Sequence, residues 1–250
     1  MQNRYVGDVG DFAKYALLRA LRKGQPNTSR LAVIWYLYPD ESHNADGRHT
    51  SYLNSDSFRA LDPQLHRSLD HLVRRAKRNV VEVKNAGVLP TGTIFFEELA
   101  AGESGEGKSG ARRERFRSEW FSRAQAAAAR ADIVFLDPDN GIEAHSVPKC
   151  APKAGKYVFW DEIEALWDRG HSLVIYHHLN RTMTVSMQAR ALADRFVKRL
   201  SNPPLLRSLL FRRGSCRHFW IVGQAAHAAD LQFRMDEFLV SGWSGHFEVA

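Results

Sequence analysis

The stretch DIVFLDPDNG, residues 132–141, decides the fold. Four consecutive apolar residues, Ile133 to Leu136, leave no polar face. Such a run suits a strand buried on both sides, and the Asp-Pro-Asp-Asn-Gly that follows is a turn at its carboxyl end. Two other segments have the same form: LAVIWYLYP (31–39), and HSLVIYHHL (171–179), which ends in polar residues. Helical patterns separate them. Asp8 to Lys23 carries Phe12, Tyr15, Leu18 and Leu21 on one face, and Gly24-Gln25-Pro26-Asn27 stops it. Further helices are expected over 57–78, 112–131, the end of 156–170, 184–200 and 228–243, with strands or extended pieces at 79–87 and 92–99. The segment 205–223 reads as a hairpin turning at Arg213-Gly214-Ser215. Strands alternating with helices predict an α/β fold: a mostly parallel twisted sheet, helices on both faces, and a C-terminal antiparallel hairpin.

The 250 residues fit one large domain, 1–250, with residues 1–24 as a helical segment and 100–111 as a flexible loop rich in Gly and Ser. No apolar run approaches the roughly 20 residues of a membrane span, and the first residues have no signal-peptide core. Two cysteines, Cys150 and Cys216, point to a reduced cytoplasm rather than a disulfide framework. The net charge of +7 and the arginine clusters at 71–78, 111–117 and 210–218 favour a polyanionic partner such as nucleic acid. Solvated helix faces account for the first two clusters nearly as well.

In an open α/β sheet, ligands bind beyond the carboxyl ends of the strands. Three candidate clusters lie there. Asp137, Asp139 and Asn140 offer two carboxylates and an amide, more than a turn alone needs. The loop after 31–39 holds Asp40, Glu41, His43, Asn44, Asp46, Arg48 and His49, with Tyr38 at the end of the run before it. His177 and His178, with Asn180 and Arg181, follow the strand at 171–176. Adjacent strand residues face opposite ways, so at most one of the two histidines is functional and the other is a core residue. A fourth motif, GESGEGKS at 102–109, matches a phosphate-loop pattern. It reads instead as a surface loop, because the preceding apolar run ends at Leu99 and Glu103 and Glu106 would repel phosphate.

The opening GDVGDFAKY (7–15) carries more than a helix cap needs. It resembles the GN-x-AD-x-x-KH opening of the bacterial adenine-N6 methyltransferases of large-subunit ribosomal RNA, which are class I, Rossmann-like enzymes using S-adenosylmethionine. Gly7, Asp8, Asp11 and Lys14 match in spacing, and Tyr15 stands for a histidine. VFLDPDN is similar to the family's LIDPPY loop, and the closing hairpin is similar to that of the class. The resemblance implies a Rossmann-like fold. It places the donor against Gly7, Asp8, Asp11, Lys14, Tyr38 and Asp40, with Asp137, Asp139, Asn140 and His177 at the reaction centre. Substrate contacts then fall to Asp46, Arg48, His49, His178 and Arg181. Two differences stand out: the loop after the first strand has one glycine, and DPDN replaces DPPY. Candidates for the stacking surface that the missing aromatic would supply are Trp160, Tyr176 and His177.

Three functions compete. The first is a methyltransferase-like enzyme acting on nucleic acid or a nucleotide-like substrate. The second is a phosphodiesterase or nuclease in which Asp40, Glu41, Asp46, Asp137 and Asp139 converge on Mg²⁺ or Mn²⁺, with His49, His177 or His178 as base. The third is a non-catalytic nucleic-acid-binding protein on the same fold. Room for a sulfonium cofactor beyond residues 31–39 favours the first, clustered carboxylates the second, and a filled crevice the third.

Overall fold

A seven-stranded sheet forms the middle of the molecule, in a computed structural model that describes residues 1–23, 30–42, 47–101, 109–180, 183–213 and 215–250. In chain order the strands are β1 (Leu31–Ile34), β2 (Ile94–Phe96), β3 (Ile133–Leu136), β4 (Gly141–Ile142), β5 (Tyr157–Val158), β6 (Ser172–His178), β7 (Leu205–Arg213), β8 (Ser215–Gly223) and β9 (Phe247–Val249). The helices are α1 (Val9–Leu21), α2 (Asp56–Leu61), α3 (Pro63–Arg74), α4 (Val80–Asn85), α5 (Gly110–Ala128), α6 (Trp160–Trp167), α7 (Val185–Arg199) and α8 (Ala228–Leu239). The order across the main sheet is β2-β1-β3-β6-β8-β7-β9, and β4 pairs with β5 separately. Strands β2, β1, β3 and β6 are parallel, and β8 lies antiparallel between β6 and β7. This is a Rossmann-like sheet whose direction reverses in the closing hairpin. No described helix is long and apolar enough to cross a membrane.

Alternation along β1 builds two cores. Leu31, Val33 and Trp35 face one layer with α1, α3 and α8, while Ala32, Ile34 and Tyr36 face the other with α5, α6 and α7. All four residues of β1 and of β3 are buried, as their unbroken apolar runs require. Helix α1 is buried along almost its whole length, including Phe12, Tyr15, Leu18 and Leu21. On the second layer Glu162 accepts from Arg117 at 2.7 and 2.8 Å, from the Tyr36 hydroxyl at 3.2 Å and from the Phe159 amide at 3.1 Å. That network ties α5 and α6 to the end of β1.

Several boundaries differ from the sequence expectation. The apolar run 31–39 is strand only to Ile34, and Tyr36 turns into the left-handed region at φ 43°. The expected helix over 57–78 is two helices. Asp62 accepts from the Leu65 amide at 3.0 Å and Pro63 opens a second helix, which separates α2 from α3. Within 79–87, Val80–Asn85 form α4 rather than a strand, because Asn79 caps it by accepting from the Glu82 amide at 2.9 Å. The segment expected as loop over 100–111 already belongs to α5 from Gly110, with Ser109 as its cap. The stop at 24–27, the phosphate-loop look-alike except Ser109, and the hairpin's Gly214 lie outside the described residues.

Candidate functional site

The site is built where α1 meets the carboxyl end of β3. Asp8 caps α1, accepting from the Asp11 amide at 2.9 Å. The i, i+3 spacing puts Asp11 and Lys14 one turn apart on the same side, and Lys14 Nζ lies 2.8 Å from Asp11 Oδ1. The same ammonium lies 2.7 Å from Asp137 Oδ2, joining residues 123 positions apart. Lys14 and both carboxylates are almost fully buried. Tyr15 donates its hydroxyl to Asp11 Oδ2 at 3.1 Å.

Burial opposes the charge of Lys14, but Asp11 and Asp137 outweigh it and hold the ammonium above its ordinary value. One lysine serves two carboxylates, so neither is fully compensated. Burial accordingly raises Asp137 against the pull of Lys14, and burial together with Asp11 raises Asp8. Burial also opposes ionisation of Asp139. There, however, the Met1 amino group, the Gln2 amide and Lys156 prevail and hold the carboxyl below its usual range.

A cleft of about 210 Å³ opens over this group, with Asp8, Lys14, Asp137, Asp139, Asn140 and Arg217 in its wall. Arg217 reaches it because Gly10 has no side chain: a Cβ there would lie 1.3 Å from Arg217 Nη1. Tyr176 and His178 close the far side, their hydroxyl and Nε2 2.7 Å apart. Burial, reinforced by Arg217, lowers His178 to about 4, so it is neutral at pH 7.

The β1 side of the cleft is occupied by the chain's own first residues. The main-chain nitrogen of Met1 donates to Tyr36 O at 3.2 Å and to Asp137 O at 3.1 Å, and Tyr38 N donates to Met1 O at 2.8 Å. Gln2 donates to Asp139 Oδ2 at 2.8 Å and to Glu41 Oε2 at 3.0 Å, and accepts from Arg4 Nε at 2.7 Å. Lys156 bridges Glu41 and Asp139 from below, at 2.5 and 3.3 Å.

Comparisons of the chain with protein-family models, with curated proteins and with solved structures found no match. The residues themselves therefore carry the functional reading.

Of the residues expected at the site, Asp8, Asp11, Lys14, His49, Asp137, Asp139, Asn140 and His178 line one cleft. Gly7 does not. It packs against Val73, and its carbonyl accepts from the Tyr52 hydroxyl at 3.1 Å. Tyr38 and Asp40 also fall outside, because the chain leaves β1 at Ile34 and turns away. The Tyr38 ring lies under Lys156 at 4.9 Å, and exposed Asp40 accepts from the Arg4 amide at 3.1 Å. Arg48 is exposed and outside the cleft wall. Asp46 and Arg181 lie outside the described residues, as do His43 and Asn44.

His177 faces away from the cleft, into a second hollow. Trp160 offers no stacking surface, since it is 1% exposed and packs on Phe196. Arg217, Tyr5 and the Met1 segment line the cleft without having been expected there. The antiparallel register pairs Arg217 with His178, so only the strand pairing locates it.

Of the carboxylates expected around a metal, the four described ones are matched to a cation or an amide: Asp137 to Lys14, Asp139 and Glu41 to Lys156, and Asp40 to the Arg4 amide. Among the described residues no three His, Cys, Asp or Glu side chains form a metal-holding group. The arginine clusters are also largely engaged within the chain. Arg78 donates to Val6 O at 2.6 Å, Arg74 pairs with Asp70 at 2.7 Å, and Arg117 is buried on Glu162.

Gly141, just beyond the Asp137 turn, holds φ 105°, and a Cβ there would lie 2.5 Å from His177 Nδ1. Gly141→Ala is expected to cost about 1–3 kcal/mol, from the strained backbone and the displaced imidazole. A lowered urea midpoint at unchanged slope checks this, and an unchanged midpoint contradicts it.

Proposed function

We propose that the protein is a methyltransferase-like enzyme acting on nucleic acid or a nucleotide-like substrate, with S-adenosylmethionine as donor. The observation that carries the reading is the Lys14–Asp137 contact, which closes the GDVGDFAKY segment onto the DPDN turn at a strand end. The order of the final strands, with one antiparallel strand between two that run the same way, supports it.

Asp8, Asp137 and Asp139 face the cleft as acceptors alongside the cations Lys14 and Arg217, so its wall offers partners of both signs. The volume suits only part of such a donor: about 210 Å³ is below the roughly 300 Å³ at which small-molecule sites begin. The whole donor does not fit while Met1 and Gln2 hold the end of β1. What the chain's own groups supply is acceptor chemistry. Asp137 and the Asn140 amide are placed to accept hydrogen bonds from a substrate amine, and neutral His178 is available to take up a proton.

Asp137→Asn keeps an oxygen for Lys14 but removes the charge. It is expected to cut transfer of labelled methyl groups to RNA, DNA or nucleotides by roughly 100-fold or more. Full activity in Asp137→Asn would mean the reaction lies elsewhere. A second reading, a non-catalytic nucleic-acid-binding protein, is favoured by the filled crevice at β1. Nucleic-acid binding with no donor binding and no transfer would select it.

A further inference from the structure

A second hollow, of about 570 Å³, lies across the Asp137–Gly141 turn from the cleft, and Asn140 and His178 belong to both walls. Its volume is within the ~300–1,000 Å³ range of small-molecule sites. The site described above does not use it.

The groups facing it are specific. His177 Nδ1 accepts from the Ile142 amide at 3.1 Å, so the neutral ring carries its proton on Nε2. Burial, with His218 and His178 as lesser causes, lowers His177 to about 3, which keeps the ring neutral across the working range. Nε2–H therefore acts as a fixed, uncharged donor, and it has no partner among the described residues. Gly141 leaves room for the ring, because a Cβ there would strike the imidazole. The Asn140 side-chain amide, which can both donate and accept, also has no partner among the described residues. Ile142 and Leu192 supply apolar wall. Arg195 stands at the edge, about half exposed, with its guanidinium 4.9 Å above the Trp160 ring. Glu143 Oε1 is 3.9 Å from it, too far for a hydrogen bond.

We propose that this hollow binds one nucleoside monophosphate unit, its base against His177 and Asn140 and its phosphate at Arg195. The inference rests on the nucleotide-substrate reading above and names the place of that substrate. An apolar slot with a neutral donor and an amide suits the edge and face of a heteroaromatic base, which has acceptors but no full charge. A single cation, which a phosphate must share with Glu143 at 3.9 Å, matches one phosphate at most, whereas a polyphosphate chain needs several cations. Arg195, half exposed with its Cζ 4.9 Å from the Trp160 ring centroid, is anchored on one side and open to solvent for that phosphate.

The test uses the full-length protein without any methyl donor. Calorimetric titration is made with AMP, GMP, CMP and UMP, with the matching nucleosides, and with a short single-stranded oligonucleotide. At least one monophosphate or the oligonucleotide is expected to bind. Arg195→Gln should weaken that binding about tenfold, the loss of one charge-assisted contact, while leaving any nucleoside binding unchanged. His177→Phe should weaken nucleotide and nucleoside alike, with its thermal unfolding followed in parallel. Arg195 is on the surface of α7, so its variant decides the matter even if His177→Phe fails to fold. Binding of mononucleotides identifies a free nucleotide, and binding of the oligonucleotide alone identifies a unit within a strand. No binding by any of them, or binding unaffected by Arg195→Gln, overturns the proposal. Because no donor is present, the titration tests this hollow alone; nucleotide binding here, with no labelled methyl transfer in the separate assay that contains S-adenosylmethionine, would fail the methyltransferase reading alone.

Discussion

Lys14→Met is expected to destabilise the protein by about 3–5 kcal/mol, the usual cost of stripping one partner from a buried ion pair. The sequence alone suggests a milder outcome, lost cofactor affinity with little loss of stability, because there Lys14 looks like a ligand-facing charge at the start of a helix. The structure places it between Asp11 and Asp137, at 2.8 and 2.7 Å, with about 4% of its side chain exposed. Methionine fills the same space, so the loss isolates the charge. Two carboxylates then face each other without the cation between them, with only Arg217 and the Met1 amino group acting on them from farther away. Combining Lys14→Met with Asp11→Asn and Asp137→Asn should recover much of the loss, since no uncompensated charge remains. Urea denaturation of the single and triple variants checks both statements. A single variant within about 0.5 kcal/mol of wild type, the range of ordinary surface substitutions, would contradict the buried-pair account.

A steep loss of stability in mild acid is the second large effect. His177 is lowered to about 3, and His178 and His218 to about 4, in each case chiefly by burial. Folded values below the unfolded value near 6.5 mean that the unfolded chain binds more protons than the native one. Stability from these groups is therefore complete above pH 6.5 and is lost as pH falls from there toward 4. Each histidine contributes a slope of roughly 1.4 kcal/mol per pH unit within that window. The carboxyls of Asp8 and Asp137, raised by burial, act in the opposite sense, since their protonation favours the folded state as pH falls through their raised values. They offset part of the slope at its acid end. Urea midpoints between pH 7.5 and 4.5 check this. A flat profile down to pH 5 would mean the histidines titrate normally in the folded protein.

How much of this is legible in the sequence depends on whether the cause is local. Strands β1, β3 and β6 are readable because burial on both faces leaves an unbroken apolar run. Asp8, Asp11 and Lys14 are readable as a group because i, i+3 spacing on a helix fixes their common side. The helix at Val80–Asn85 is missed because Val80, Val81 and Val83 have the composition of a strand, while the deciding contact is the Asn79 cap. Strands β4, of two residues, and β9, of three, are too short to have a pattern of their own. Tyr38 and Asp40 are misplaced because nothing local reveals that the chain leaves the strand at Ile34. Arg217 enters the cleft through a strand pairing and through the missing side chain of Gly10, two facts distant from it in sequence. His177 shows the same limit: alternation separates it from His178, but only the fold reveals that His178 lines the cleft while His177 faces the second hollow alone.

The most direct test of the central claim is a calorimetric titration of the wild-type protein with S-adenosylmethionine. The account predicts micromolar binding that is lost in Asp137→Asn, with the donor entering as Met1 and Gln2 give way at the end of β1. No binding up to millimolar donor would contradict a methyltransferase site at this cleft.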